Sequence, residues 1–369
     1  MIFETVFNRL IRPWKLFGAL PGIAVLAAQP TQSVETAIRF TEVTDQTGIT
    51  FQHRDGSGGE FYIMETVSAG LALFDYDNDG DIDIYLLNGA ALKGTSYDPT
   101  PINRLYRNDG GWKFTDVTEA SGTGDPGFGL GVAVGDYDRD GHLDIYLNNY
   151  GPNLLYRNNG DGTFSDVAES ANVGDGNYVG GGTAFLDIDR DGDLDLYSAR
   201  YVEFSYDKNV IDIIGGSRSY MPPTAYVYPS DALYRNDGDG SFTDVSESSG
   251  IAKHVGTGMG MTCADYDNDG DTDIFVANDV LGNFLFKNDG TGQFEEVGML
   301  AGVAYDFFGR AHGSMGVESG DYDNDGLLDF FVTSYAKEPA VLYRNLVGGL
   351  FRDVTAAPGT GVVTFINPT

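Results

Sequence analysis

The nine residues Asp75–Asp83, D-Y-D-N-D-G-D-I-D, place carboxylates at loop positions one, three, five and nine, Asp75, Asp77, Asp79 and Asp83, with Gly80 at position six. The arrangement recurs four times: Asp136, Asp138, Asp140, Gly141 and Asp144; Asp187, Asp189, Asp191, Gly192 and Asp195; Asp265, Asp267, Asp269, Gly270 and Asp273; Asp321, Asp323, Asp325, Gly326 and Asp329. Four acids in so short a turn repel one another unless a cation sits among them. Alternate residues of a tight loop point inward together, an all-oxygen donor set suits a hard cation, and glycine at position six permits the sharp turn. The spacing therefore predicts about five calcium sites. Position seven would ligate through its backbone carbonyl, which adds Asp81, His142, Asp193, Asp271 and Leu327 to the ligand set with side chains free to vary. Position eight is Ile82, Leu143, Leu194, Thr272 or Leu328, mostly apolar, as if tucked under the loop.

EF-hands are excluded. They need a glutamate at position twelve and flanking helices, whereas position twelve here is Leu86, Leu147, Ser198, Val276 or Val332, within strand patterns. Each loop is instead part of a four-piece unit. A strand rich in small residues leads in, such as G-L-A-L-F before Asp75, and an alternating strand leads out, such as I-Y-L-L-N from Ile84. Then come L-Y-R-N, at Leu105, Leu155, Leu233 and Leu342 with L-F-K-N at Leu285, and F-x-D-V or F-E-E-V, at Phe114, Phe164, Phe242, Phe294 and Phe351. Alternating apolar residues with turn signals between them indicate an antiparallel meander. Four strands repeated at this period describe a β-propeller blade, so the expected fold is all-β, with five complete four-stranded antiparallel blades. Gly70, Gly131, Gly182, Gly260 and Gly316, each five residues before a loop, suit the crowded innermost strand. A parallel β-helix or stacked hairpins would not accommodate so long a unit.

The chain has 55 acidic residues against 22 basic ones, a formal charge of −33. Five divalent ions would bring that to about −23. Such a surface does not suit nucleic acid, which needs a basic footprint. It suits an exported protein in a calcium-rich medium: secreted, periplasmic or at the cell surface. Arg9, Arg12 and Lys15 precede an apolar run, Leu16 to Ala28, which reads as a secretory signal peptide over residues 1–28, too short for a comfortable membrane span. Residues 29–38 read as a linker and 39–369 as the repeat domain, with no membrane span after signal cleavage. The single cysteine, Cys263, permits no intrachain disulfide and reads as a buried strand thiol, which leaves metal as the stabiliser.

These motifs resemble the calcium-loop propeller repeats called FG-GAP or VCBS, found in the head of integrin alpha subunits. F-T-E-V-T-D-Q-T-G-I-T-F-Q-H at Phe40 to His53, M-E-T-V-S-A-G-L-A-L-F-D-Y-D-N-D-G-D-I-D at Met64 to Asp83 and the L-Y-R-N segments further resemble the cartilage acidic protein family, whose bacterial members carry an ASPIC/UnbV domain. The resemblance implies a seven-bladed calcium propeller on an exported protein. The chain departs from it after F-R-D-V-T-A-A, where two more blades and a C-terminal domain would follow; an arc of five blades is expected, with an N-terminal strand at Phe40 at one edge and an exposed edge prone to association.

Two insertions interrupt the repeat, Thr50 to Glu65 and Tyr201 to Asp231. The second holds Tyr220, Tyr226 and Tyr228 beside three prolines, and such aromatics either bind a protein or glycan ligand or form a flap over a neighbouring blade. His254 and His312 each precede an innermost strand, so together with Arg310 they are candidates for a cluster near the axis. No catalytic residue is assigned: G-x-S-x-G, H-E-x-x-H and P-loop motifs are missing from the sequence. The leading expectation is a calcium-binding interaction module for protein or glycan. The alternative is a polysaccharide lyase or hydrolase on a propeller scaffold.

Overall fold

A computed structural model describes residues 40–356 apart from Ser68, Asp175, Asn177 and Ala336. The signal-peptide and linker readings, and the segment G-V-V-T-F-I-N-P-T, lie outside the described residues. The chain divides into the units Met1–Glu42 and Val43–Thr369, and the second carries all the described sheets.

Five sheets have four antiparallel strands each, in the order of the chain. Blade 1 is Leu71–Phe74, Asp83–Leu86, Arg104–Asn108 and Phe114–Asp116. Blade 2 is Phe128–Gly135, Asp144–Tyr150, Leu154–Asn158 and Phe164–Asp166. Blade 3 is Tyr178–Leu186, Asp195–Glu203, Ala232–Asn236 and Phe242–Asp244. Blade 4 is Gly258–Ala264, Asp273–Asn278, Phe284–Asn288 and Phe294–Glu296. Blade 5 is Ser314–Gly320, Asp329–Ser334, Val341–Leu346 and Leu350–Asp353. The fold is thus an all-β propeller architecture of meander blades, and every acidic loop joins the first strand of a blade to its second.

The second strands are near-continuous apolar runs because both of their faces are buried between blades. Tyr85 and Leu87 of blade 1 meet Ile145 and Leu147 of blade 2. Tyr146 then turns the other way, onto Leu196 of blade 3. Tyr197 and Ala199 meet Ile274 and Val276, and Phe275 and Ala277 meet Phe330 and Val332. Each fully buried side chain of this size contributes roughly 1.5–3 kcal/mol relative to exposure. The half-buried Cys263 lies in the blade 3–4 cluster, where burial pushes its thiol up to about 12.

The innermost strands of all five blades line a cavity of about 510 Å³. Their glycines are required by close approach: a Cβ on Gly131 would sit 2.1 Å from the Gly181 carbonyl oxygen, and one on Gly260 2.6 Å from that of Met315. Gly70 donates to Leu130 O at 2.9 Å, joining blades 1 and 2 at the axis.

The end blades differ from the interior ones. Leu71 and Leu73 are 57% and 61% exposed, whereas their counterparts Val132 and Val134 pack against blade 1. Ile82 at position eight is likewise exposed, whereas Leu143 is tucked against the blade 1–2 core as expected. The expected N-terminal strand is not formed: Phe40 to Glu42 carry no strand, and Phe40 is 96% exposed. The helix Thr44–Thr47 follows, and its left-handed cap Gly48 lies against Phe114 O of blade 1, as Gly250 lies against Phe294 O and Gly302 against Phe351 O.

Candidate functional site

All five acidic loops lie at the same end of their blades, at the junction of first and second strands. Position six has φ between +87° and +93° in every copy, a left-handed turn that glycine adopts without strain. Its N–H donates to the position-one carboxylate, from Gly80 to Asp75 at 2.9 Å through Gly326 to Asp321 at 3.0 Å. Position nine is buried and staples two strands: Asp144 accepts Tyr137 N–H at 3.1 Å with one oxygen and Asn158 N–H at 2.8 Å with the other.

Carboxylate oxygens of three residues lie within 4.8 Å of one another in each loop: Asp75, Asp77 and Asp83; Asp136, Asp138 and Asp144; Asp187, Asp189 and Asp195; Asp265, Asp267 and Asp269; Asp321, Asp323 and Asp325. Three oxygens, not the expected four, therefore converge in each. Position five stands outside the set in the first three loops. Position five accepts the N–H of position seven in every loop, from Asp81 to Asp79 at 2.9 Å through Leu327 to Asp325 at 3.1 Å, so that bond is common to both arrangements. In the last two loops it is position nine that stands outside. Asp273 and Asp329 keep their bonds to the strands, and basic side chains engage Asp269 and Asp325 at position five.

Burial and the charges of neighbouring aspartates push Asp77, Asp138 and Asp189 up. Burial drives Asp83 up to about 6 and Asp144, Asp195 and Asp273 up to about 7. The Oδ1 atoms of Asp77, Asp136, Asp189 and Asp267 are buried with no hydrogen-bond donor. Such atoms are costly unless something satisfies them, and a divalent cation held by oxygens fits them directly. These residues could hold a hard metal ion, which would supply the positive charge that converging carboxylates require.

The asparagine that ends each L-Y-R-N strand is a site residue that the sequence reading missed, although it stands in all five copies. Asn158 Nδ2 donates to Leu143 O of its own loop at 3.2 Å and to Tyr76 O of the preceding blade's loop at 2.8 Å. Asn236, Asn288 and Asn345 repeat this bridge to Tyr137, Ile188 and Tyr266. Identical side chains at a fixed offset from each loop were the available signal. Position seven varies in residue type as expected, and the structure adds a contact: His142, Asp193 and Asp271 each meet the position-four residue of the preceding loop. Leu327 has no such polar partner to offer, and Asp81 belongs to the first loop.

The two insertions lie at the opposite ends of the strands and pack on each other. Tyr62 of the first meets Phe204 and Tyr206 of the second at ring-centroid distances of 5.7 and 5.0 Å. Tyr220 donates to Glu65 Oε2 at 2.9 Å and its ring lies 4.9 Å from that of Phe61. Tyr226 packs 6.1 Å from Phe204, and Tyr228 is half-buried. Tyr220 and Tyr226 thus pack within the paired insertions, and the exposed side chains of the two-stranded sheet there, Ile211–Ile214 with Ser217–Tyr220, include Ile213 and Ile214. The expected cluster of His254, Arg310 and His312 forms only in part. Arg310 and His312 both hold Asp306, at 2.8 and 3.0 Å, and with two backbone N–H groups they overcome burial and keep that carboxyl down at about 2. His254 packs instead against Phe284 and Phe286. Its connection enters blade 4, whereas the other two enter blade 5.

An FG-GAP-like repeat model matches residues 75–147, 140–198, 211–276 and 265–332, more than half of the chain and all five acidic loops. Cartilage acidic protein 1 of Homo sapiens is 31% identical over 318 residues, covering 81% of this chain and 42% of that protein. The Mus musculus protein of the same name is 31% identical over 312 residues, with 81% and 43% covered. The chain thus spans less than half the length of these relatives. Among solved structures, an Agrocybe aegerita lectin that recognises non-reducing terminal N-acetylglucosamine is 18% identical at a TM-score of 0.40, covering 76% of this chain and 64% of that one. The biofilm matrix protein Bap1 of V. cholerae is 14% identical at 0.41, with 78% and 38% covered. With a blade built around each acidic loop and the repeat model matched across those blades, the chain belongs to the FG-GAP-like repeat family.

Proposed function

We propose that the protein is an exported calcium-binding propeller module that presents a surface to a protein or glycan ligand. One observation carries the metal reading: in five loops, three carboxylates converge, and in four of these loops a buried carboxylate oxygen has no donor. Calcium matches the all-oxygen donors and the flexible loop better than magnesium, which holds its waters and demands a stricter geometry. Neutralising each loop fixes the first hairpin of its blade and, through the asparagine bridges, the hairpin of the blade before. The ligand surface is placed on the opposite face, where the paired insertions expose Ile213 and Ile214 on a scaffold held by the blades. Export is supported by the charged and apolar N-terminal stretch and the acid excess, and no helix among the described residues is long and apolar enough to cross a membrane.

The reading is tested by screening the calcium-loaded chain on glycan and extracellular-protein arrays, with product analysis of bound glycans. Calcium-dependent capture without turnover is the expected result. Unsaturated or shortened sugars would overturn the non-catalytic reading, and capture unaffected by chelator would overturn the role of the metal.

A further inference from the structure

Position four has a positive φ in every loop, +59°, +57°, +63°, +59° and +59° for Asn78, Arg139, Arg190, Asn268 and Asn324. It stands between positions three and five, and in the first three loops its side chain reaches the next blade. Asn78 Nδ2 lies 3.3 Å from Gly141 O and 3.0 Å from His142 Nδ1. Arg139 pairs with Asp193 at 2.7 Å. Arg190 pairs with Asp271 and donates to Asp269 O at 3.3 Å. Each receiving side chain belongs to position seven, and two of them are wedged against a hairpin glycine of their own blade: a Cβ on Gly160 would meet His142 at 2.5 Å, and one on Gly290 would meet Asp271 at 2.5 Å. The residue types correspond, with arginine facing aspartate twice and asparagine facing histidine once. The series then stops, because Asn268 faces a loop whose position seven is Leu327, and no bond joins them among the described residues.

On the reading that the loops hold calcium, we infer that position four couples neighbouring metal sites. A metal gripped within a loop stiffens it, fixes the left-handed residue at position four and so aims its side chain. That side chain anchors position seven of the next loop, whose carbonyl is the metal ligand expected there. The aspartates that receive the arginines have side chains only 11% and 9% exposed, so the pairs are less screened than open surface pairs. Occupancy of one loop therefore favours occupancy of the next along loops one to four, whereas loop five lacks the position-four link and is joined to loop four by the Asn345 bridge. By linkage the effect is mutual.

The test is a titration of the whole chain, first freed of metal, with calcium alone. Each loop is followed through the NMR amide signal of its position-six glycine, Gly80, Gly141, Gly192, Gly270 and Gly326, which donates to the position-one carboxylate of the same loop. Silencing loop three by Asp189→Asn is expected to weaken loop four by about threefold, in line with a partly exposed ion pair. Arg190→Gln alone gives most of that loss, and in that background Asp189→Asn adds less at loop four than it does in the wild type, the remainder passing through the Asn288 bridge. Silencing loop five by Asp323→Asn shifts loop four less than silencing loop three does, because only the Asn345 bridge joins them. If the wild type binds calcium but the Gly270 transition ignores both Arg190→Gln and Asp189→Asn, the coupling is overturned while the calcium reading stands. If no wild-type glycine responds to calcium, both fall. Amide signals remote from the loops report whether a variant has kept its fold.

Discussion

The first three acidic loops and the last two carry the same four aspartates at the same spacing, yet they satisfy them differently. In the first three, the converging oxygens come from positions one, three and nine, whereas in the last two they come from positions one, three and five. The difference accompanies the basic residue of the L-Y-R-N strand. Arg107 and Arg235 are held outside their loops by Asp109 and Asp237, at 2.7 and 2.9 Å, and Arg157 stays 3.8 Å from Asp138. In blade 4, Asp289 is engaged by Thr291 instead, and Lys287 pairs with Asp267 and, at 3.2 Å, with Asp269. In blade 5 the corresponding acid is replaced by Leu346, and Arg344 pairs with Asp323 and Asp325 at 2.7 and 2.9 Å. At position three of the first three loops, Asp77, Asp138 and Asp189 are pushed up by burial and crowding; at position five of loop four, the N–H of Asp271 and the Lys287 ammonium outweigh burial and hold the Asp269 carboxyl down. The lesson is that the nine-residue spacing brings the carboxylates together, but a residue one blade strand away decides whether a basic side chain pairs with them.

The largest expected effect is that of removing metal. Chelation should lower the melting temperature by on the order of 10 °C or more, since several sites each contribute about 2.7 kcal/mol at a hundredfold excess over Kd. The loss should come mainly from blades 1–3, so hydrogen exchange after chelation should rise there more than in blades 4 and 5, where a side-chain cation remains. Equal loosening of all five blades would remove the distinction between the two groups.

Next in size is the loss of a bridging asparagine. Asn236→Ala leaves Tyr137 O and Leu194 O without their donor at a buried junction, which costs roughly 1–3 kcal/mol for each unsatisfied group that water does not reach. A denaturant midpoint unchanged from wild type would show that the bridge between adjacent loops contributes nothing.

Smaller, and aimed directly at the comparison, are the basic residues. Lys287→Gln should tighten calcium at loop four by roughly fivefold, the equivalent of a partly exposed ion pair, and should lower the melting temperature only in chelator. Arg107→Gln should change loop one by less than about twofold, because Asp109 already holds that guanidinium away. Equal effects in calcium titrations of the two variants would contradict the division of the loops.

A further effect lies outside the loops. Burial raises the Asp231 carboxyl to about 6, although Tyr197 Oη donates to it at 2.6 Å and Arg200 N–H at 2.7 Å. Below its ordinary pKa the group is protonated in both folded and unfolded chains. As pH rises from about 4 to about 6 it ionises first in the unfolded chain, so its contribution to stability falls across that window. Asp231→Asn should flatten that part of the stability profile without altering calcium binding, and a profile identical to wild type would exclude the assignment.

The blades and the loop acids were legible in the sequence because both obey short-range rules. Alternation specifies a strand, and aspartates two residues apart converge in a tight turn. Spacing alone does not say which three oxygens converge, positions one, three and nine in the first three loops and one, three and five in the last two. What escaped otherwise lies between repeats. Asn158 reads as the end of a strand until Tyr76 O is seen 2.8 Å away across the blade boundary. Position seven reads as unconstrained because its role in one loop is a backbone role, whereas the constraint on Asp193 comes from Arg139, 54 residues earlier. The tyrosines of the second insertion read equally as a ligand platform or a flap, and nothing in their own segment announces that Tyr220 packs on Phe61 of the first insertion. Phe40 shows the converse: it carries the strand motif, but a motif forms a strand only where a partner strand accepts it.

The most direct test is to titrate calcium into the chelated chain by calorimetry and count ions per chain. The account predicts five, resolved into a tighter class of three and a weaker class of two, with Lys287→Gln moving one site from the weaker class to the tighter. No bound calcium, or five equivalent sites that ignore Lys287, would contradict it.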